Sequence, residues 1–164
     1  MTLLPTTVRE RGSVVVQRLL SQGVQLPEEV QGVLDGLVDR RAQDRLERAR
    51  RAKVAEVVFA YWIAVLDHPL AFWTAGRQAT LMNLLVAVQD DPNLLLYAVD
   101  GAAQDSWALG LHPRNNRRIE SFKWLFEEGG IDRLEHYAET CVGWKKQRPH
   151  PLVVKHHLPT GATE

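Results

Sequence analysis

No proline interrupts the chain between Pro27 and Pro69. Leu26-Pro27-Glu28-Glu29 has the form of a helix start, because proline suits the first helical position and two acids favour the positive end of the helix dipole. Gly32 and Gly36 weaken the early turns without stopping them. A helix continuing to about Leu66 would be roughly 60 Å long at 1.5 Å per residue. Strand signals are scarce by comparison. Val14-Val15-Val16 sits inside a helical pattern, and Leu152-Val153-Val154 is short, at most an edge strand added to a partner. The expectation is an all-α protein.

The middle of that helix, Asp39 to Lys53, carries seven basic residues and three acids, with Leu46 and small alanines as its apolar positions. Such a stretch has little to bury. Spacings such as Asp44 to Arg48 and Glu47 to Arg51 suit charge pairs on a solvated face. The same stretch also suits a basic rod that touches phosphates or a partner. Basic residues interrupt every heptad register, so no clean coiled-coil seam runs through it. Ahead of it, Thr6 or Thr7 can cap a first helix whose Val8, Val15, Val16, Leu19 and Leu20 share one face, with Gly23 as the stop. The spacing thus predicts an N-terminal helical hairpin and charged connector over residues 1–53. A compact helical domain follows over 54–144, and a basic tail, extended and open to disorder, over 145–164.

In the second half, Thr74 precedes a helix striped by Leu81, Leu84, Leu85 and Val88. Asp91-Pro92 is a cap followed by a first-turn proline, and Asp100-Gly101 marks the expected end of the next short helix. Ile119, Phe122 and Phe126 form another stripe, broken at Gly129-Gly130. Ile131, Leu134, Ala138 and Cys141 then recur at helical spacing. Val54 to Leu66 is the most apolar run, but it is shorter than the ~20 residues that span a bilayer and contains Glu56. Met1 to Pro5 do not read as a signal peptide, so a cytoplasmic location is expected.

Catalytic patterns are missing. No glycine-rich phosphate loop, HExxH or Glu-x-x-His pair occurs. One cysteine, Cys141, excludes a disulfide framework and a multi-cysteine zinc site. His136 lies five residues from Cys141, about 140° around a helix, which suits packing rather than a thiol–imidazole pair. His156-His157 read as unligated surface residues. The expectation is therefore no enzyme, no metal and no cofactor.

Charge is unevenly spread beneath a net of zero, with 20 Lys+Arg against 20 Asp+Glu. Gln78 to Pro113 holds no Lys or Arg, Arg114, Arg117 and Arg118 follow together, and the tail adds four more cations. Local basic patches can contact phosphate or an acidic protein surface. Five tryptophans stand in the chain. Trp62 and Trp73 flank apolar residues and read as core. Trp107 and Trp144 lie beside polar residues and are the more open to stacking on a base.

Phe59-Ala60-Tyr61-Trp62, His68-Pro69, Thr74 with Arg77, Ala98-Val99-Asp100-Gly101, Ser106-Trp107-Ala108-Leu109-Gly110, Asn116-Arg117-Arg118 and the Phe122-to-Tyr137 helices follow one another in order. That ordered set resembles a C-terminal domain of replication-associated proteins of bacteriophages and related mobile elements. The resemblance covers about half of the chain. It implies a non-enzymatic accessory or helicase-recruiting protein in DNA replication, acting in a bacterial host cell. The expected partner is a protein such as a replicative helicase, with DNA a second partner and a homo-oligomer through the long helix a third arrangement. Another reading is an interaction protein that inhibits or redirects a host machine such as RNA polymerase or a defence complex. Arg40, Arg41, Arg45, Arg48, Arg50, Arg51, Arg114, Arg117 and Arg118 are the expected contact residues. Trp62, Asp100, Gly101, Trp107 and Gly110 are assigned structural parts: Asp100 as a cap, Gly101 and Gly110 at positive φ, and Trp107 as a plug in the core.

Overall fold

The computed structural model describes residues 21–23 and 28–160. Its described elements are helical: α1 (Glu28–Leu66), α2 (Ala75–Ala87), α3 (Asn93–Gln104), a π-helical turn (Lys123–Glu128), α4 (Gly130–Ala138), α5 (Val142–Lys145) and α6 (Pro151–His156). Among the described residues none is in a strand, and a single isolated bridge joins His112 to Asn115. The chain is all-α, as its proline-free stretch and its helical stripes imply. No described helix is long and apolar enough to cross a membrane.

Contacts divide the chain into Met1–Leu46 and Glu47–Glu164, so the compact unit begins seven residues before the expected boundary at residue 54. Arg51 explains the earlier start: its guanidinium bonds Asp90 at 2.5 and 2.8 Å and ties the preceding turn of α1 to the domain. In the first unit, Arg40, Arg41 and Arg45 are exposed on α1, as is Leu46. The first helix expected over Thr6 to Gly23 lies outside the described residues, apart from helical Ser21 and the Gly23 stop at φ +74°.

In the second unit α1 changes character. Val54, Ala55, Val58, Phe59, Trp62 and Leu66 are buried at spacings of three and four, which is one helical face. Leu81 and Leu85 bury the matching face of α2, whose start is capped by Thr74 Oγ1 accepting the Arg77 N–H. Helix α3 lies at the centre. Every residue from Asn93 to Val99 is buried, together with Gly101 and Ala102. Each fully buried leucine here contributes about 1.5–3 kcal/mol of transfer free energy. Asp91 Oδ1 accepts the Asn93 N–H at 2.9 Å just ahead of α3, but the cap position itself falls on Pro92, one residue later than expected.

Asp100-Gly101 does not end α3. The helix runs on to Gln104, because Gly101 is where α4 crosses it: a Cβ at Gly101 would sit 1.9 Å from the Tyr137 carbonyl oxygen. The glycine is there for close approach and not for positive φ. Asp100 caps nothing. It accepts the Tyr61 hydroxyl at 2.5 Å and pairs with His150 Nε2 at 3.0 Å.

Of the stripe Ile119, Phe122 and Phe126, Phe126 lies in a π-helical turn, Lys123–Glu128, that Phe122 precedes, rather than in an α-helix. Arg133 donates to the Trp124 carbonyl and lies 4.7 Å over the Trp124 ring.

Residues 145–160 are not an extended tail, and Leu152-Val153-Val154 is helical. His150 is 2% exposed and Val153 3%. The His150 N–H donates to Asn93 Oδ1 at 2.7 Å, and its Nδ1 accepts the Leu152 N–H at 3.2 Å. With Nδ1 accepting, Nε2 carries the proton and donates to Asp100. One buried histidine therefore caps α6 and fastens it to α3.

Candidate nucleic-acid interface

The loop from Asp105 to Arg118 is organised from its own side chains. Asp105 Oδ2 accepts the Ala108 N–H at 2.9 Å and the Tyr137 hydroxyl at 3.4 Å. That closes the first turn and consumes the loop's one carboxylate. Burial and Asp105 together push the Tyr137 hydroxyl up to about 12. Ala108 is fully buried, and its carbonyl accepts the Ile119 N–H at 2.9 Å, which pins the return of the chain. Gly110 adopts φ +69° as expected, with the Arg117–Arg118 peptide packed against its Cα. A side chain there would be both strained and obstructed.

Trp107 is the main correction in this loop. It is 44% exposed and does not plug the core. The inward position belongs to its neighbour Ala108, so the indole faces out. Its ring lies 5.1 Å from that of His112, and its carbonyl accepts Asn115 Nδ2 at 2.7 Å. His112 Nδ1 accepts the Arg114 N–H, and Asn115 Oδ1 accepts the Arg117 N–H. Two side chains of the loop thus set the backbone from which Arg114 and Arg117 project. Both arginines are exposed, and their guanidinium groups have no hydrogen-bond or ion-pair partner among the described residues. The loop presents a half-exposed indole with two uncommitted cations beside it in sequence.

The other expected contact residues divide. Arg118 bonds Glu120 through Nε and the Leu66 carbonyl through Nη2 at 2.8 Å. Glu120 is 1% exposed, and its backbone carbonyl accepts Trp62 Nε1 at 3.3 Å. Arg118 and Trp62 therefore belong to the clamp that holds the end of α1. Arg51 is committed to Asp90 and to Glu47 at 3.8 Å, which raises its affinity for its proton and keeps it charged. Arg48 and Arg50 are exposed on α1 in the second unit. In the first unit, Arg45 Nε donates to the Arg41 carbonyl, and Arg40 is exposed.

Two apolar residues escaped the sequence reading. Leu70 is 85% exposed and Phe72 76%, on the segment between α1 and α2. No helical period runs through that segment, so hydrophobicity alone could not place them inside or outside. Cys141 is buried, and its thiol is pushed up by that burial, consistent with packing. Among the described residues no group of three or more His, Cys, Asp or Glu could hold a metal ion.

No family model matches the chain, and neither a curated protein nor a solved structure matches it.

Proposed function

We propose that this is a non-enzymatic accessory protein in the DNA replication of a phage or mobile element. It contacts DNA through the Trp107 loop and works alongside a protein partner, for which a replicative helicase is the first candidate. The replication setting rests on the ordered resemblance from Val58 to Tyr137. The contact with DNA rests on one observation: Trp107 stands out of the core on a loop braced by hydrogen bonds to Asp105, while the Arg114 and Arg117 guanidinium groups have no partner among the described residues. An aromatic face can stack on a base, and free guanidinium groups suit phosphate.

Titration of labelled DNA into the full chain tests this. Two phosphate contacts give a slope of about −1.4 to −1.8 in log K against log salt, so affinity should fall about tenfold between about 50 and 200 mM salt. Reversing Arg114 and Arg117 to Glu should remove that binding and leave the thermal midpoint unchanged. If the wild-type protein binds neither single-stranded nor duplex DNA at about 50 mM salt, the DNA half of the proposal fails.

A further inference from the structure

We infer that the cleft beside Trp144 is a binding site for a phosphate ester that carries a flat ring, that is, a nucleoside phosphate. The cleft has a volume of about 590 Å³, within the range of small-ligand sites, and is lined by Asp91, Asn93, Glu139, Trp144, Lys145, Gln147 and Arg148. The Trp107 loop contributes nothing to it, so the inference stands independently of the DNA contact proposed above.

Two of the lining groups are already committed. Asp91 Oδ1 accepts from both the Asn93 N–H and Asn93 Nδ2, and Asn93 Oδ1 accepts from the His150 N–H. They form a fixed polar base. The remaining groups are free to meet a ligand. Lys145, Arg148 and Glu139 are exposed, and their charged heads have no partner among the described residues. Trp144 is half-buried, with its ring 6.4 Å from that of Tyr97. The backbone that carries the two cations is tightly wound. Lys146 N donates to the Val142 carbonyl at 3.1 Å, Gln147 N to Trp144 at 2.8 Å and Arg148 N to Gly143 at 2.9 Å. Gln147 sits at φ +51°, a left-handed conformation that a side chain adopts at a cost and that closes the turn under Arg148.

The chemistry of the free groups selects the ligand. Two cations on one turn suit a phosphate, and an arginine adds bidentate geometry. An indole wall suits a planar base. Two carboxylates face these cations: Asp91 keeps its charge although its Oδ1 accepts from Asn93, and Glu139 is unpaired among the described residues, so both repel a bare anion. Glu139 can accept hydrogen bonds from ribose hydroxyls or from a base amino group. Phosphate, ring and hydroxyl together are what a nucleoside phosphate offers. A free nucleotide and the phosphorylated end of a strand share that chemistry.

The test uses the full chain with adenosine monophosphate, adenosine and inorganic phosphate as probes, followed by calorimetry and by the thermal midpoint. The monophosphate should bind saturably with a Kd below about 1 mM, more tightly than either half. Arg148→Ala should weaken the monophosphate about tenfold and leave adenosine unchanged, which isolates the phosphate contact. Trp144→Leu should weaken both. Since Trp144 also packs on the core, exposed Arg148 is the deciding variant. A 5′-phosphorylated strand that binds better than the same strand without its phosphate, and more tightly than the monophosphate, assigns the site to strand ends; the reverse order assigns it to free nucleotides. Either order supports the site. It is overturned if the monophosphate shows no saturable binding up to about 10 mM, if it binds no better than inorganic phosphate, or if Arg148→Ala has no effect.

Discussion

Replacing His150 by alanine tests the largest difference between the sequence reading and the fold. The ring makes edge-on contacts with Tyr61 and Tyr97 at centroid distances of 5.1 and 4.9 Å. Each such pair contributes about 0.5–1.5 kcal/mol beyond simple area burial. The substitution also deprives Asp100 Oδ2 of its donor and the Leu152 N–H of its acceptor. A buried polar atom left without a partner costs about 1–3 kcal/mol. Asp100 and Leu152 are both half-buried, so water replaces part of each lost bond and we count the two together as one such loss. Together these give about 2–6 kcal/mol, a large part of the 5–15 kcal/mol that holds a domain of this size.

The assay is urea unfolding of His150→Ala against the wild type, with amide hydrogen exchange as the local readout. In the wild type the amides of Val153, His157 and Leu158 bond to the carbonyls of His150, Val154 and Val153, and they should be protected. In the variant they should exchange freely. A loss of stability below about 1 kcal/mol would refute the reasoning. So would a wild type whose α6 amides already exchange at the unprotected rate, since residues 145–160 would then be the tail that their composition suggested.

Trp62→Ala should cost about 3–5 kcal/mol, whereas Trp107→Ala should stay within about 0.5 kcal/mol, as chemical unfolding of the two variants will show. Thermal stability should decline from about pH 10 towards pH 12. Tyr137 is raised to about 12 by burial and Asp105, and Tyr61 is raised by burial and Asp100, so the unfolded chain releases its protons first. Tyr137→Phe should make that decline shallower, and a thermal midpoint that stays flat to about pH 11 would contradict the assignment.

What was legible in the sequence was local. The long helix followed from the proline-free stretch, the Thr74 cap from residue type just ahead of an apolar run, and the Gly110 turn from the glycine itself. What escaped depends on partners far away in the chain. His150 sits among prolines and cations, and nothing near it announces burial. Its partners are Asn93 and Asp100, 57 and 50 residues earlier. Gly101 looked like a helix stop because the crossing of Tyr137 above it cannot be seen in one dimension. At Trp107 the error was one of side. The sequence Ser106-Trp107-Ala108 offers a large and a small apolar residue in succession, and the small one went inward because Asp105 and Ile119 hold the Ala108 backbone.

The same distinction between local and distant explains why neutral net charge says nothing about the sign of a ligand. Four arginines are structural. Arg51 and Arg118 neutralise Asp90 and Glu120, Arg133 supports the Trp124 carbonyl, and Arg77 donates to the Phe72 carbonyl while covering the Phe59 and Phe122 rings. Each is anchored by a carboxylate, a carbonyl or a ring, so its guanidinium is held in place by the fold. Arg114 and Arg117 in one loop, and Lys145 and Arg148 on another turn, have no such anchor among the described residues. Each of these free pairs shares its segment with a tryptophan that the core does not fully enclose. A solvated face needs cations but gains nothing from an exposed indole, whereas a surface that meets bases and phosphates uses both. The recurrence of that pairing at two separate places is what supports ligand contact over solvation alone.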